Sequence, residues 1–193
     1  MNKNRLEAFS DGVLAIIITI MVLEIKLPNG ANWYALQQVF PILLSYLLSF
    51  IYIGIYWNNH HHLIHSVNRV NGKILWANLH LLFWLSLVPL ATRWTGENNF
   101  TCITMASYGF VLLMAGFAYW VLQSIIIKSQ GKNSLLKKAI GNDYKGYGSL
   151  VLYIFGIAFS FYNEWMAASI YVVVALIWLI PDKRIEKLFD QVN

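Results

Sequence analysis

Between Gly12 and Leu23 the chain runs GVLAIIITIMVL without a charge, and Ser10 and Asp11 stand at one end of this run while Glu24 and Lys26 stand at the other. With its neighbours the run reaches the length of a membrane-crossing helix, for which a hydrocarbon core takes roughly 20 residues. An anchor would have no use for a carboxylate at its entry. At about 100° per residue, Ile16, Thr19, Ile20 and Leu23 share one face with Gly12 near its extension, and Asp11 stands roughly 140° round from Ile16. One face can therefore look into a pore while the carboxylate looks into the protein. The stretch from Arg5 to Pro28 reads as the wall of an ion pathway.

The rest of the chain has the same character. Its 193 residues are 58% hydrophobic and 12% charged, with a mean hydropathy of +0.54, more apolar surface than a soluble domain can bury. The expected class is an all-α integral membrane protein, one domain over residues 1–193, with length for six or seven crossings. The six runs are placed at about 6–27, 36–58, 74–94, 100–127, 148–162 and 165–181. Pro41 is expected near the start of the second, where a missing N–H is tolerated, and Pro89 close to the far end of the third. Thr95 to Asn99 reads as a short polar loop. The apolar run from Leu150 to Ile180 is too long for one ordinary span and is broken by Asn163-Glu164, so it reads as two short spans joined by a tight turn.

Lysine and arginine counts set the orientation. The side holding the N-terminus carries twelve: Lys3, Arg5, Arg69, Lys73, Lys128, Lys132, Lys137, Lys138, Lys145, Lys183, Arg184 and Lys187. The other side carries Lys26 and Arg93 alone. This predicts both termini in the cytoplasm, an even number of spans and a place in the cell's inner (plasma) membrane. Trp33, Tyr34, Trp94, Tyr162 and Trp165 near the outer ends fit an interfacial aromatic belt. The net charge of +5 is accounted for by these loops, so nucleic acid is not expected as a partner. Cys102, the single cysteine, forms no intrachain disulfide and is read as packing. The loop from Lys128 to Gly146 is expected to be cytosolic, with one amphipathic turn at Leu135 to Ile140. Lys3 and Arg5 before an apolar run imitate a secretory signal, but Asp11 and the lack of a small-x-small cleavage site argue against removal.

An ionisable group within a span is costly unless it is paired or wetted, which makes Asp11 the polar residue to explain. The proposed topology brings the cytosolic ends of the second and third spans, with His60, His61, His62 and Asn78, to a similar depth. Arg5, Ser10, Asp11 and these histidines are expected to form a network fixing the rotation of the first helix. His61 and His65, at i and i+4, also admit a metal reading, but no further ligand is evident. Glu24 and Lys26 admit two readings, a field that concentrates cations and a solvated helix end. Ser45, Ser49, Gly109, Gly116, Gly156 and Ser160 are small residues that permit close helix approach. The sequence contains no phosphate-cradling glycine loop, zinc-protease pattern or plausible nucleophilic triad, so an enzyme is not expected. An ion-coupled transporter would show a polar site at mid-membrane, whereas the middle of every span reads as apolar.

The pattern R-x-x-x-F-S-D, here Arg5, Phe9, Ser10 and Asp11, followed by G-V-x-A-I and a VLE ending at Glu24, resembles the transmembrane protein 175 family of potassium channels in its bacterial six-span form. SFIYIGIYWNNHHHLIH and LWANLHLLFWLSLVPLATRW are similar to its later stretches, with a tryptophan-histidine segment, an asparagine and a proline. The resemblance implies a homotetramer whose first helices line a central pore, narrowed by Ile16, Ile20 and Leu23 with the Thr19 hydroxyl beside them. These are the positions the helical face yields independently. Arg5, Phe9, Ser10 and Asp11 would brace that helix from behind, with His60, His61, His62 and Asn78 as partners. The chain, like the family, lacks the carbonyl-filter signature TVGYG.

The function expected is passive potassium permeation through a hydrophobic constriction, with the bilayer and further copies of the chain as partners. K+ is the permeant ion, and neither cofactor nor metal is expected. A proton channel of the same family is the first alternative, and an ion-coupled transporter the second.

Overall fold

The computed structural model describes residues 2–67, 69–131, 136, 137, 141 and 143–179. Among the described residues the principal helices are α1 Lys3–Leu23, α2 Trp33–His65, α3 Gly72–Ser86, α4 Val88–Glu97, α5 Cys102–Ser129, α6 Tyr144–Ser160 and α7 Glu164–Leu179. No strand occurs among the described residues. α1, α2, α5 and the α3–α4 pair taken as one 26-residue unit are each long and apolar enough to cross a membrane. α6 and α7 form a shorter hairpin beside them, α7 being apolar as well, and the described residues make an all-helical membrane protein. Of the turn expected at Leu135 to Ile140, only Leu136 and Lys137 lie within the described residues, and both are helical.

Local chemistry explains where the helices begin. Asn32 and Asn71 cap α2 and α3, their side chains accepting from Ala35 N at 2.8 Å and Ile74 N at 3.0 Å. Asn163 accepts from Trp165 N and Met166 N at 2.9 and 3.1 Å and so starts α7 directly after the break. Such caps satisfy N–H groups that have no partner within the helix.

The two prolines depart from their expected roles. α2 begins at Trp33, so Pro41 lies inside the helix, where it removes the N–H that would meet the carbonyl of Gln37. Pro89 does not close a crossing. It stands in the first turn of α4, just beyond Leu87, whose N–H turns back to Trp84 O at 3.2 Å. α3 thus ends and α4 begins within the third crossing, with proline where no N–H is needed. α4 continues to Glu97, and the expected polar loop shrinks to a tight turn in which Asn99 (φ 50°) and Phe100 (φ 62°) are left-handed.

α5 lies against α3, α4, α6 and α7, and its Leu112, Ala115, Ala118, Leu122 and Ile126 are fully buried. Two glycines let α7 in: a Cβ on Gly109 would stand 1.9 Å from Tyr171 Oη, and one on Gly156 would stand 2.3 Å from Tyr171 Cε1. The Tyr171 ring therefore occupies the space both lack. The centre of this core is not purely apolar, contrary to the expectation for mid-span positions. Thr92 Oγ1 lies 2.6 Å from Ser49 Oγ, which lies 2.9 Å from Tyr108 Oη, and Tyr52 Oη donates to Tyr171 O at 2.5 Å. These hydroxyls tolerate burial because each is hydrogen-bonded.

Candidate pore face and the network behind it

α1 buries a single stripe, Leu6, Ser10, Leu14, Ile17 and Met21, at steps of four, four, three and four. The opposite side is uncovered within the chain. Ile16 is 60% exposed, Ile20 42% and Leu23 77%, and Thr19 is exposed with them. An open concavity of about 410 Å³ beside this side is lined by Val13, Ile16 and Ile20 and by Ser86, Pro89 and Leu90 around the α3–α4 joint. Thr19 Oγ1 donates to Ala15 O at 2.8 Å. Its proton is thus spent inside the helix, and its lone pairs are the one side-chain polar feature between Gly12 and Leu23.

Behind the buried stripe, three helices meet through Ser10, Asn78 and His60. Ser10 Oγ donates to Leu6 O at 2.9 Å, so toward Asn78, 2.9 Å away, it can only accept. Asn78 must then present its amide nitrogen to Ser10 and its Oδ1 to His60 Nε2, 2.6 Å away. It follows that His60 donates from Nε2, and its Nδ1 is a bare lone pair. That atom is the one buried side-chain polar atom without a partner among the described residues. The proton assignment comes from the network, in which every other role is fixed.

The remaining predicted residues divide. Asp11, half-buried, accepts from Trp57 Nε1 at 3.0 Å and not from a histidine. His61 turns to α1 but meets Glu7, with Nδ1 2.8 Å from Oε1. His62 is half-buried, its ring 5.6 Å from that of His61. Arg5 and Phe9 lie on exposed positions of α1, outside the Ser10–Asn78–His60 network. Sequence reasoning missed Glu7 and Trp57. The available signal was spacing, since Glu7 and Asp11 are separated by one helical turn, as are Trp57 and His61.

At the other end of α1, Glu24 is its C-cap and pairs with Arg93 Nη1 on α4. Arg93 Nε also donates to Glu97 at 3.2 Å, and Lys26 Nζ lies 2.7 Å from the same carboxylate. Two carboxylates thus face two cations. Glu24 and Lys26 do stand at a solvated helix end, and there they form a tie between α1 and α4 in which the charges cancel locally.

A sequence model described as the endosomal/lysosomal potassium channel TMEM175 matches residues 5–89, which contain α2, α3 and all of α1 but its first two residues. The chain is 59% identical over 187 residues, 97% of either chain, to a protein named a potassium channel in Chryseobacterium sp.. It is 34% identical over 109 residues, half of this chain and 22% of the other, to the endosomal/lysosomal proton channel TMEM175 of Gallus gallus. Its fold is similar to the crystal structure of a lysosomal potassium-selective channel TMEM175 homolog from Chamaesiphon minutus, with a TM-score of 0.80 and 28% identity over 93% of this chain and 97% of that one. The chain belongs to the TMEM175 family.

Proposed function

We infer that this chain is one subunit of a potassium-permeable channel, a homotetramer in which α1 of each copy faces a central axis. The observation that carries this reading is the uncovered side of α1, where large apolar side chains are exposed while the opposite stripe and both ends are fastened to α2, α3 and α4. A ring of Ile16, Ile20 and Leu23 makes a narrow apolar neck that expels water and so stops an ion, and slight widening lets it pass. Potassium sheds water more readily than sodium, which favours it in a neck offering only Thr19 oxygens. K+ is the permeant ion and the bilayer the medium. The lysine and arginine distribution supports an inner-membrane location with both termini in the cytoplasm. The relatives are named channels, not enzymes.

The animal relatives, named proton channels, favour proton permeation as the second reading. Purified protein in liposomes, under opposed potassium and sodium gradients and then a pH gradient, separates the two. A reversal potential following potassium supports the first and one following pH the second. Absence of current under every gradient removes both.

A further inference from the structure

Three contacts on successive turns bind the N-terminal half of α1 to the end of α2. Lys3 Nζ donates to the His65 carbonyl at 2.7 Å, Glu7 Oε1 lies 2.8 Å from His61 Nδ1, and Trp57 Nε1 donates to Asp11 Oδ1 at 3.0 Å. Positions 3, 7 and 11 thus meet 65, 61 and 57, as two antiparallel helices do when each advances by four residues and keeps the same face. The rings of Trp57, His61 and His65 follow one another at 6.4 and 6.1 Å. Of the three rungs, the middle one is built on imidazole, whose charge as a class changes near neutrality; lysine and aspartate as classes do not titrate there.

We propose that His61 is a positioning residue: its protonation from the cytosolic side tightens α1 against its own subunit and increases conduction. The proposal rests on the reading of α1 as the pore wall with its N-terminal end in the cytosol. Neutral His61 gives Glu7 a hydrogen bond, and protonated His61 gives it an ion pair as well. The groups around it are Lys3, Glu7 and Asp11 on α1 and His60, His62 and His65 on α2. His60 is engaged with Asn78, and Asp11 with Trp57. Because α2 and the exposed pore face lie on different sides of α1, a firmer rung draws Ile16 and its neighbours back from the axis. The His61 side chain is 44% exposed and that of Glu7 19%, so water-borne protons reach the pair and the effect is of the modest size that exposed ion pairs supply.

The test is potassium flux in liposomes with the cytosolic face at about pH 8 and at about pH 6, the interval in which imidazole titrates. The wild type is expected to conduct about two- to fivefold faster at the lower pH, the factor an exposed ion pair can supply. His61→Gln and Glu7→Gln should be flat, whereas His65→Gln should keep the response, because Lys3 bonds the backbone carbonyl of residue 65. A His61→Gln channel that retains the wild-type pH response overturns the proposal. Hydrogen exchange at the amides of residues 3–11, corrected for intrinsic rates, reads the same rung without conduction. The wild type should exchange more slowly at the lower pH and His61→Gln should not. If the exchange difference is present but no ion passes, the conduction reading fails and the positioning role stands. If it is absent, the positioning role falls whatever the flux.

Discussion

Asn78 Nδ2 donates to Ser10 Oγ across 2.9 Å, and this bond ties the buried stripe of α1 to α3. Ser10→Ala removes the acceptor and leaves the Asn78 amide buried without a partner. Such a loss costs about 1–3 kcal/mol, expected as a lower unfolding temperature in detergent. Adding Asn78→Ala to Ser10→Ala should cost less than its own single effect, because the two act through one network. Strictly additive costs would show that the bond contributes nothing.

Ile16→Asn places an amide where the proposed neck is apolar. Hydrating the neck should raise potassium leak and diminish the preference over sodium. A barrier lowered by about 1.4 kcal/mol corresponds to about tenfold in rate. Unchanged currents in bilayers would remove Ile16 from the constriction, and Thr19→Val beside it should leave the apolar seal intact while removing the oxygens available to a partly dehydrated cation.

Trp57→Phe keeps an aromatic ring at the end of α2 but deletes the N–H that Asp11 accepts. The cost expected is about 0.5–1.5 kcal/mol, the net worth of an ordinary hydrogen bond. Asp11→Asn should cost less than Trp57→Phe, since an amide oxygen still accepts from the indole. Thermal unfolding of the two variants side by side gives the order, and the reverse order would contradict the assigned bond.

Gly109→Ala and Gly156→Ala each drive a methyl group into Tyr171. Overpacking of this kind costs typically about 1–3 kcal/mol. Tyr171→Phe should relieve Gly109→Ala in part, because the atom nearest the new methyl is the Tyr171 hydroxyl, and should do little for Gly156→Ala, which meets the ring itself. Equal rescue of both would mean that the tyrosine does not sit between the two glycines.

Periodicity alone made the open side of α1 legible, because a helix of apolar residues keeps a fixed angle per position and Ile16, Thr19, Ile20 and Leu23 obey it. Depth made the meeting of Ser10, His60 and Asn78 legible, since topology alone places those turns at one level. Partnerships between long side chains were not legible in the same way. Asp11 found an indole and not an imidazole, and His61 found Glu7, because which donor reaches a carboxylate depends on rotation of α2 by a few tens of degrees. Arg93 and Glu24 are distant in sequence, and Arg93 entered only the count of charges that sets orientation; only the fold brings α4 beside the end of α1. The joint at Leu87 was hidden for a different reason. Pro89 is equally at home closing one helix or opening another, and the hydrogen bonds of its neighbours decide between them.

That joint has a mechanical consequence for α1. Its N-terminal half hangs from α3 through Ser10 and Asn78, and its C-terminal tip hangs from α4 through Glu24 and Arg93. Since α3 and α4 are separate rods meeting at Leu87, a swing of α4 can tug the tip while the root stays put. α1 is slung between two supports that need not move together, and a bend between α3 and α4 becomes a tilt of α1.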